Sequence, residues 1–113
     1  MQFDSLEAIS RYLALEFDLD ASDISEMLVE YLGNLSRLIG DAKAASGSPD
    51  RLHKVGHAIK GAAANVSSQS ISALGRKLED VAKDGARKDA VESVISELQL
   101  QYDELKAQHE AMR

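Results

Sequence analysis

Ile24, Met27, Leu28, Tyr31, Leu32, Leu35, Leu38, Ile39, Ala42 and Ala45 recur every three or four residues, which confines the centre of this chain to one long amphipathic helix. A strand turns alternate side chains to opposite faces and would leave half of this set in water. A helix over about 22 to 45, capped by Ser22 or Asp23, would be roughly 36 Å long. With one apolar stripe it cannot stand alone, so other helices must cover it.

The remaining sequence supplies them. Asp4 and Glu7 have the spacing of a capping box ahead of Leu6, Ile9, Leu13 and Phe17, which predicts a short first helix over about 4 to 17, packed as a lid. Ser48 followed by Pro49 matches an N-cap with proline at the first helical position, and the third helix runs from there to about Val66. Ser67 and Ser68 can cap a fourth helix carrying Ile71, Leu74, Leu78, Val81 and Ala82, which Gly85 closes. Asp89 and Glu92 form another capping-box pair for a last helix over about 88 to 112, with Val91, Val94, Ile95, Leu98, Tyr102, Leu105 and Met112 inward. No strand pattern competes. Short connections favour antiparallel neighbours, so the expected fold is all-α, an up-down-up-down four-helix bundle with an additional short N-terminal helix, in a single domain over residues 1–113.

Composition removes several classes of function. The chain has no cysteine, which excludes disulfides, thiolate catalysis and thiolate metal sites and fits a reducing compartment. Its formal net charge of -6 argues against nucleic-acid binding, which needs a cationic surface. The opening Met1-Gln2-Phe3-Asp4 lacks the pattern of a leader and no run is long enough to cross a bilayer, so the expected location is cytoplasmic, with no membrane partner.

The third helix carries the chemistry. At roughly 100° per residue, Leu52, Val55, Ile59, Ala62 and Val66 form its apolar face. His57 then falls roughly 170° from the centre of that face, among His53, Lys54, Lys60, Gly61 and Ala64. The outer face is basic and sterically bare. Glycine inside a helix costs roughly 0.5 to 1 kcal/mol relative to alanine, so Gly56 and Gly61, next to Ala62, Ala63 and Ala64, call for close approach by another surface. Lys60, one turn after His57, can place an ammonium beside an anion held at the imidazole, an arrangement suited to a phosphoryl group. His53 and His57 have the i, i+4 spacing of metal ligands, but no carboxylate or further histidine on that helix completes a site, and no native metal is expected. His109 reads as a solvated side chain and Gly75, between Leu74 and Leu78, as a point of close helix packing.

His57-Ala58-Ile59-Lys60-Gly61-Ala62-Ala63-Ala64-Asn65-Val66, followed by Leu74-Gly75 and Leu78-Glu79, resembles the signature of histidine-containing phosphotransfer (HPt) domains of two-component phosphorelays. The resemblance implies that His57 accepts a phosphoryl group from one receiver-domain aspartate and passes it to another, and that Lys60 offsets the charge of the phosphohistidine. It implies that Gly61 and Ala64 keep the surface open for a docking receiver. Ser67 departs from the glycine that many members have at the end of this helix. Lys54 would help steer the receiver's acidic pocket, and His53 is a neighbour that could touch the receiver or modulate the nucleophile.

The chain has no G-x-x-x-x-G-K-[ST] loop and no cluster of carboxylates near His57, so ATP-dependent kinase activity and a magnesium ion of its own are not expected. Mg2+ would belong to the receiver partner. The expected partners are the receiver domains of a hybrid histidine kinase and of a response regulator, met by a monomer. The rival reading is a non-catalytic bundle that binds a signalling partner without being phosphorylated.

Overall fold

The computed structural model describes residues 3–112, so Met1 and Gln2 of the opening segment lie outside the described residues. The described residues form five helices and no strand: α1 (Leu6–Phe17), α2 (Ala21–Ala44), α3 (Pro49–Asn65), α4 (Gln69–Lys83) and α5 (Lys88–Ala111). Helix α3 packs against α2 and α4, α5 packs against the same two, and α1 lies on α2 and α5. The four longer helices thus form a closed ring of neighbours around one core. Leu35, Ile39, Leu52, Ile59, Ile71, Leu78, Val91 and Leu98 fill it and are almost fully buried.

Several helix starts differ from the sequence expectation. Ser5, and not Asp4, caps α1, its side chain accepting from the Ala8 N–H at 3.0 Å. Asp20, ahead of both expected residues, caps α2 by accepting from the Asp23 N–H at 2.9 Å. Ser48 caps α3 as expected, with Pro49 in the first turn. Arg87 occupies the N-cap of α5 without a side-chain cap, while Asp89 lies inside the first turn and pairs with Arg87 at 3.0 Å. Two residues assigned to apolar stripes end on the surface, Phe17 at the end of α1 and Met112 past the end of α5. Each lies at the C-terminal end of its stripe.

The start of α4 shows why Asp4 does not serve α1. Ser68 is the N-cap residue, but its side chain makes no capping bond to α4. Its hydroxyl donates to Asp4 Oδ2 at 2.6 Å, and the same carboxylate accepts from the Ser70 N–H at 2.9 Å and the Ile71 N–H at 3.0 Å. A residue 64 positions away in sequence caps the helix, and its negative charge meets the positive end of the helix dipole. The Tyr31 hydroxyl is buried at this junction, and burial pushes it above the ordinary phenol range, with Ser68 opposing and Asp4 adding to the rise. Asp4→Ala should lower stability by about 1–2 kcal/mol, since it orphans a hydroxyl and two helix N–H groups. Urea denaturation measures this, and a loss below about 0.3 kcal/mol would mean that water replaces the carboxylate without cost.

Two backbone features bracket α4. Ser67 has φ 60°, the left-handed conformation that glycine adopts freely, and its Cβ costs about 1 kcal/mol there. At the other end Gly85 has φ 94°, and the Ala86 N–H donates to the Val81 carbonyl at 3.0 Å, which ends the helix.

The buried residues of α3 are Leu52, Gly56, Ile59 and Ala63, so its inward face is turned toward α4 relative to the expected stripe, and Val55 and Ala62 are only half-buried. The cause is Gly56. A Cβ there would lie 2.8 Å from the Gly75 carbonyl oxygen, and one on Gly75 would lie 2.6 Å from the Lys60 nitrogen. Helices α3 and α4 therefore meet backbone to backbone, and Gly75 is the packing glycine that its position predicted. The rotation puts His57 about 130° from the centre of the buried face, leaning over α4.

Candidate functional site

His57 projects from the middle of α3 with 71% of its side chain exposed. Its Nδ1 lies 3.5 Å from Glu79 Oε2, which leaves Nε2 directed away from the protein. Lys60, one turn on, places its Nζ 2.8 Å from Glu79 Oε1, and His53, one turn back, places its Nε2 3.5 Å from Glu79 Oε2. A single carboxylate from α4 thus gathers three basic side chains of α3.

Glu79 can do this because α3 and α4 are so close. Its backbone nitrogen lies 2.9 Å from where a Gly56 Cβ would be, so the side chain starts at the helix contact and runs outward beneath Lys60 and the two imidazoles. Ser72 fixes the opposite side of the junction, its hydroxyl donating to the Lys60 carbonyl at 3.0 Å. Glu79 is buried at 7% exposure although Lys60 and His57 reach water.

The Lys60 ammonium holds the Glu79 carboxyl below the usual carboxylate range, first by direct contact and then by its charge, against the opposing effect of burial. The His57 and His53 rings add smaller effects in the same direction as Lys60. Because the folded-state value is lowered, the ion pair contributes stability above the ordinary carboxylate range and loses it as the pH falls through the lowered value.

The other expected site residues fall into two groups. Lys54 is exposed, as are Ala64 and Gly61, and a Cβ on Gly61 would meet nothing within 4 Å. The face around His57 is therefore open on the α3 side. His53 is half-buried, with its Nε2 turned toward the Glu79 cluster. On the α4 side the ion pair borders a shallow cleft of about 260 Å³ lined by Lys60, Arg76, Glu79, Asp80 and Lys83.

The sequence pattern does not single out Glu79 as a partner of His57, and the structure places it there. Glu79 is 22 positions away and reaches the site across a helix interface. A signal existed, because Glu79 adjoins Leu78 and follows Gly75 by one turn, which sets a charged residue at the edge of the buried stripe of α4. Among the described residues no group of three or more histidine, aspartate or glutamate side chains could hold a metal ion, and no helix is long and apolar enough to cross a membrane.

Fold and site together define a small all-helical domain that displays one imidazole above a buried carboxylate and its paired ammonium. The family model of the Hpt domain matches residues 6–108, and the chain belongs to the Hpt domain family. As a family, Hpt domains serve histidine phosphotransfer in phosphorelays and interact with receiver domains of two-component systems. No curated protein and no solved structure matches the chain.

Proposed function

We propose that this protein is a phosphorelay intermediate that accepts a phosphoryl group on His57 from a receiver-domain aspartate and passes it to the aspartate of a second receiver. The observation that carries the proposal is the orientation of His57, with Nδ1 toward Glu79 and Nε2 toward solvent over a face that Gly61 and Ala64 leave bare.

With its proton on Nδ1, directed to Glu79, the neutral ring has its lone pair on Nε2. That lone pair forms the N–P bond while the P–O bond of the phosphoaspartate breaks and the aspartate carboxylate leaves with the electron pair. The phosphorylated ring is cationic and keeps its Nδ1 proton, which Glu79 stabilises as a charge-assisted acceptor. Lys60 lies one turn from His57 and can share its ammonium between Glu79 and a phosphoryl oxygen. In the reverse step the N–P bond breaks, its electron pair returns to Nε2, and the second aspartate takes the phosphorus. Mg2+ belongs to the receiver, which supplies charge neutralisation during transfer.

The closed ring of α2, α3, α4 and α5 supports an up-down-up-down bundle with α1 added on α2 and α5. We further propose that this single domain acts as a monomer in the cytoplasm. Lys54 and the open surface at Gly61 and Ala64 form the receiver-docking face, on which the partners are a hybrid histidine kinase and a response regulator.

Incubation with a receiver phosphorylated on its aspartate should transfer label to this chain as an acid-labile, base-stable phosphate, and a second receiver should remove it. A protein that binds receivers and takes no label would be an interaction module, and the proposal would fall.

A further inference from the structure

Glu79 Oε2 lies 3.5 Å from His57 Nδ1 and 3.5 Å from His53 Nε2. Both separations exceed the usual N–H···O range of about 2.7 to 3.2 Å, so the oxygen stands between two donors and is held by neither. The rest of the carboxylate has little freedom to satisfy both. Oε1 is anchored by Lys60 at 2.8 Å, and the side chain leaves α4 against the Gly56 position, where a Cβ would already meet its Cγ at 3.1 Å. A movement of a few tenths of an ångström toward one ring would complete a hydrogen bond there, and with Oε1 held by Lys60 the two rings share Oε2 as their nearest carboxylate oxygen.

We propose that His53 is a positioning residue that competes with His57 for Glu79 Oε2 and thereby sets the fraction of His57 that carries its proton on Nδ1. Which nitrogen of a neutral imidazole holds the proton is decided by the hydrogen bond available to it. When His53 Nε2–H takes Oε2, His57 Nδ1 loses its acceptor, and the proton is free to reside on Nε2, where it blocks the attacking lone pair. When His57 takes Oε2, Nε2 is left unprotonated and open to solvent. His53 therefore restrains the nucleophile from one turn away on its own helix, without touching the phosphoryl group. The consequence for transfer rests on the function proposed above, whereas the effect on the tautomer does not.

The two are separable by measurement. Long-range 15N–1H NMR correlations report the tautomer of each ring in the unphosphorylated protein, at a pH where both imidazoles are neutral. His53→Phe, which keeps a planar ring and removes the donor, should raise the ratio of Nδ1–H to Nε2–H His57 by about two- to fivefold. The initial rate of labelling by a phosphorylated receiver should rise in the same proportion. His53→Gln, which restores an N–H donor, should return the ratio and the rate toward the original values. An unchanged or lowered Nδ1–H fraction in His53→Phe, or His53→Gln behaving like His53→Phe, would overturn the competition. A shifted tautomer in a protein that takes no label would uphold it and overturn the phosphorelay function instead.

Discussion

His57→Gln should reduce phosphoryl labelling to background while leaving the fold unchanged. The amide has no nucleophilic nitrogen lone pair, and a covalent carrier that loses its nucleophile has no second route. The position is suited to the experiment because the side chain is largely exposed and fills no part of the core. Lys60 keeps its ion pair with Glu79, so the cluster is not left with an unpaired carboxylate. Stability in urea should stay within about 0.5 kcal/mol of the original, as for surface substitutions generally. The helical circular dichroism should likewise be unaltered. Label that persists on the variant, or that moves to His53, would refute the assignment of the acceptor.

The route from sequence to this site shows which kinds of information a single chain displays. Patterns within one helix were legible. The stripe of α2, the Ser48-Pro49 start of α3 and the exposure of His57 all depend on side chains three or four positions apart, and helical geometry fixes those relations wherever the helix packs. Relations between helices were not. Asp4 has the right spacing for a capping box with Glu7, yet it caps α4, because the chain entering α1 passes the Ser68 turn and three donors there outcompete a local cap. The orientation of α3 departs from its apolar stripe for a similar reason. Glycine contributes nothing to an apolar stripe, so the stripe of α3 omits Gly56, although it is buried and packs against the backbone of α4. Once Gly56 is taken as buried, the helix turns, His57 leans over α4 and Glu79 enters the site.

That close contact makes Gly75→Val a strongly damaging substitution. A Cβ at residue 75 would stand 2.6 Å from the Lys60 nitrogen, 2.9 Å from the Gly56 carbonyl oxygen and 3.0 Å from the Lys60 Cα. All three are backbone atoms of α3, so no side chain can rotate away and the two helices must separate. Overpacking of this kind costs about 1–3 kcal/mol, and the branched methyls of valine place the effect at or above the upper end. With about 3 kcal/mol lost, the melting temperature of a domain this size should fall by roughly 10–20 °C. Gly61→Ala is the matched control, since a Cβ there meets nothing within 4 Å and the gain in helix propensity should stabilise the protein by about 0.5–1 kcal/mol. Opposite signs on one helix pair would separate packing from propensity. Below its melting temperature Gly75→Val should also label more slowly than the original, because moving α4 outward draws Glu79 away from His57 and Lys60. If Gly75→Val melts within a few degrees of the original and labels at the same rate, the α3–α4 contact does not hold the site together.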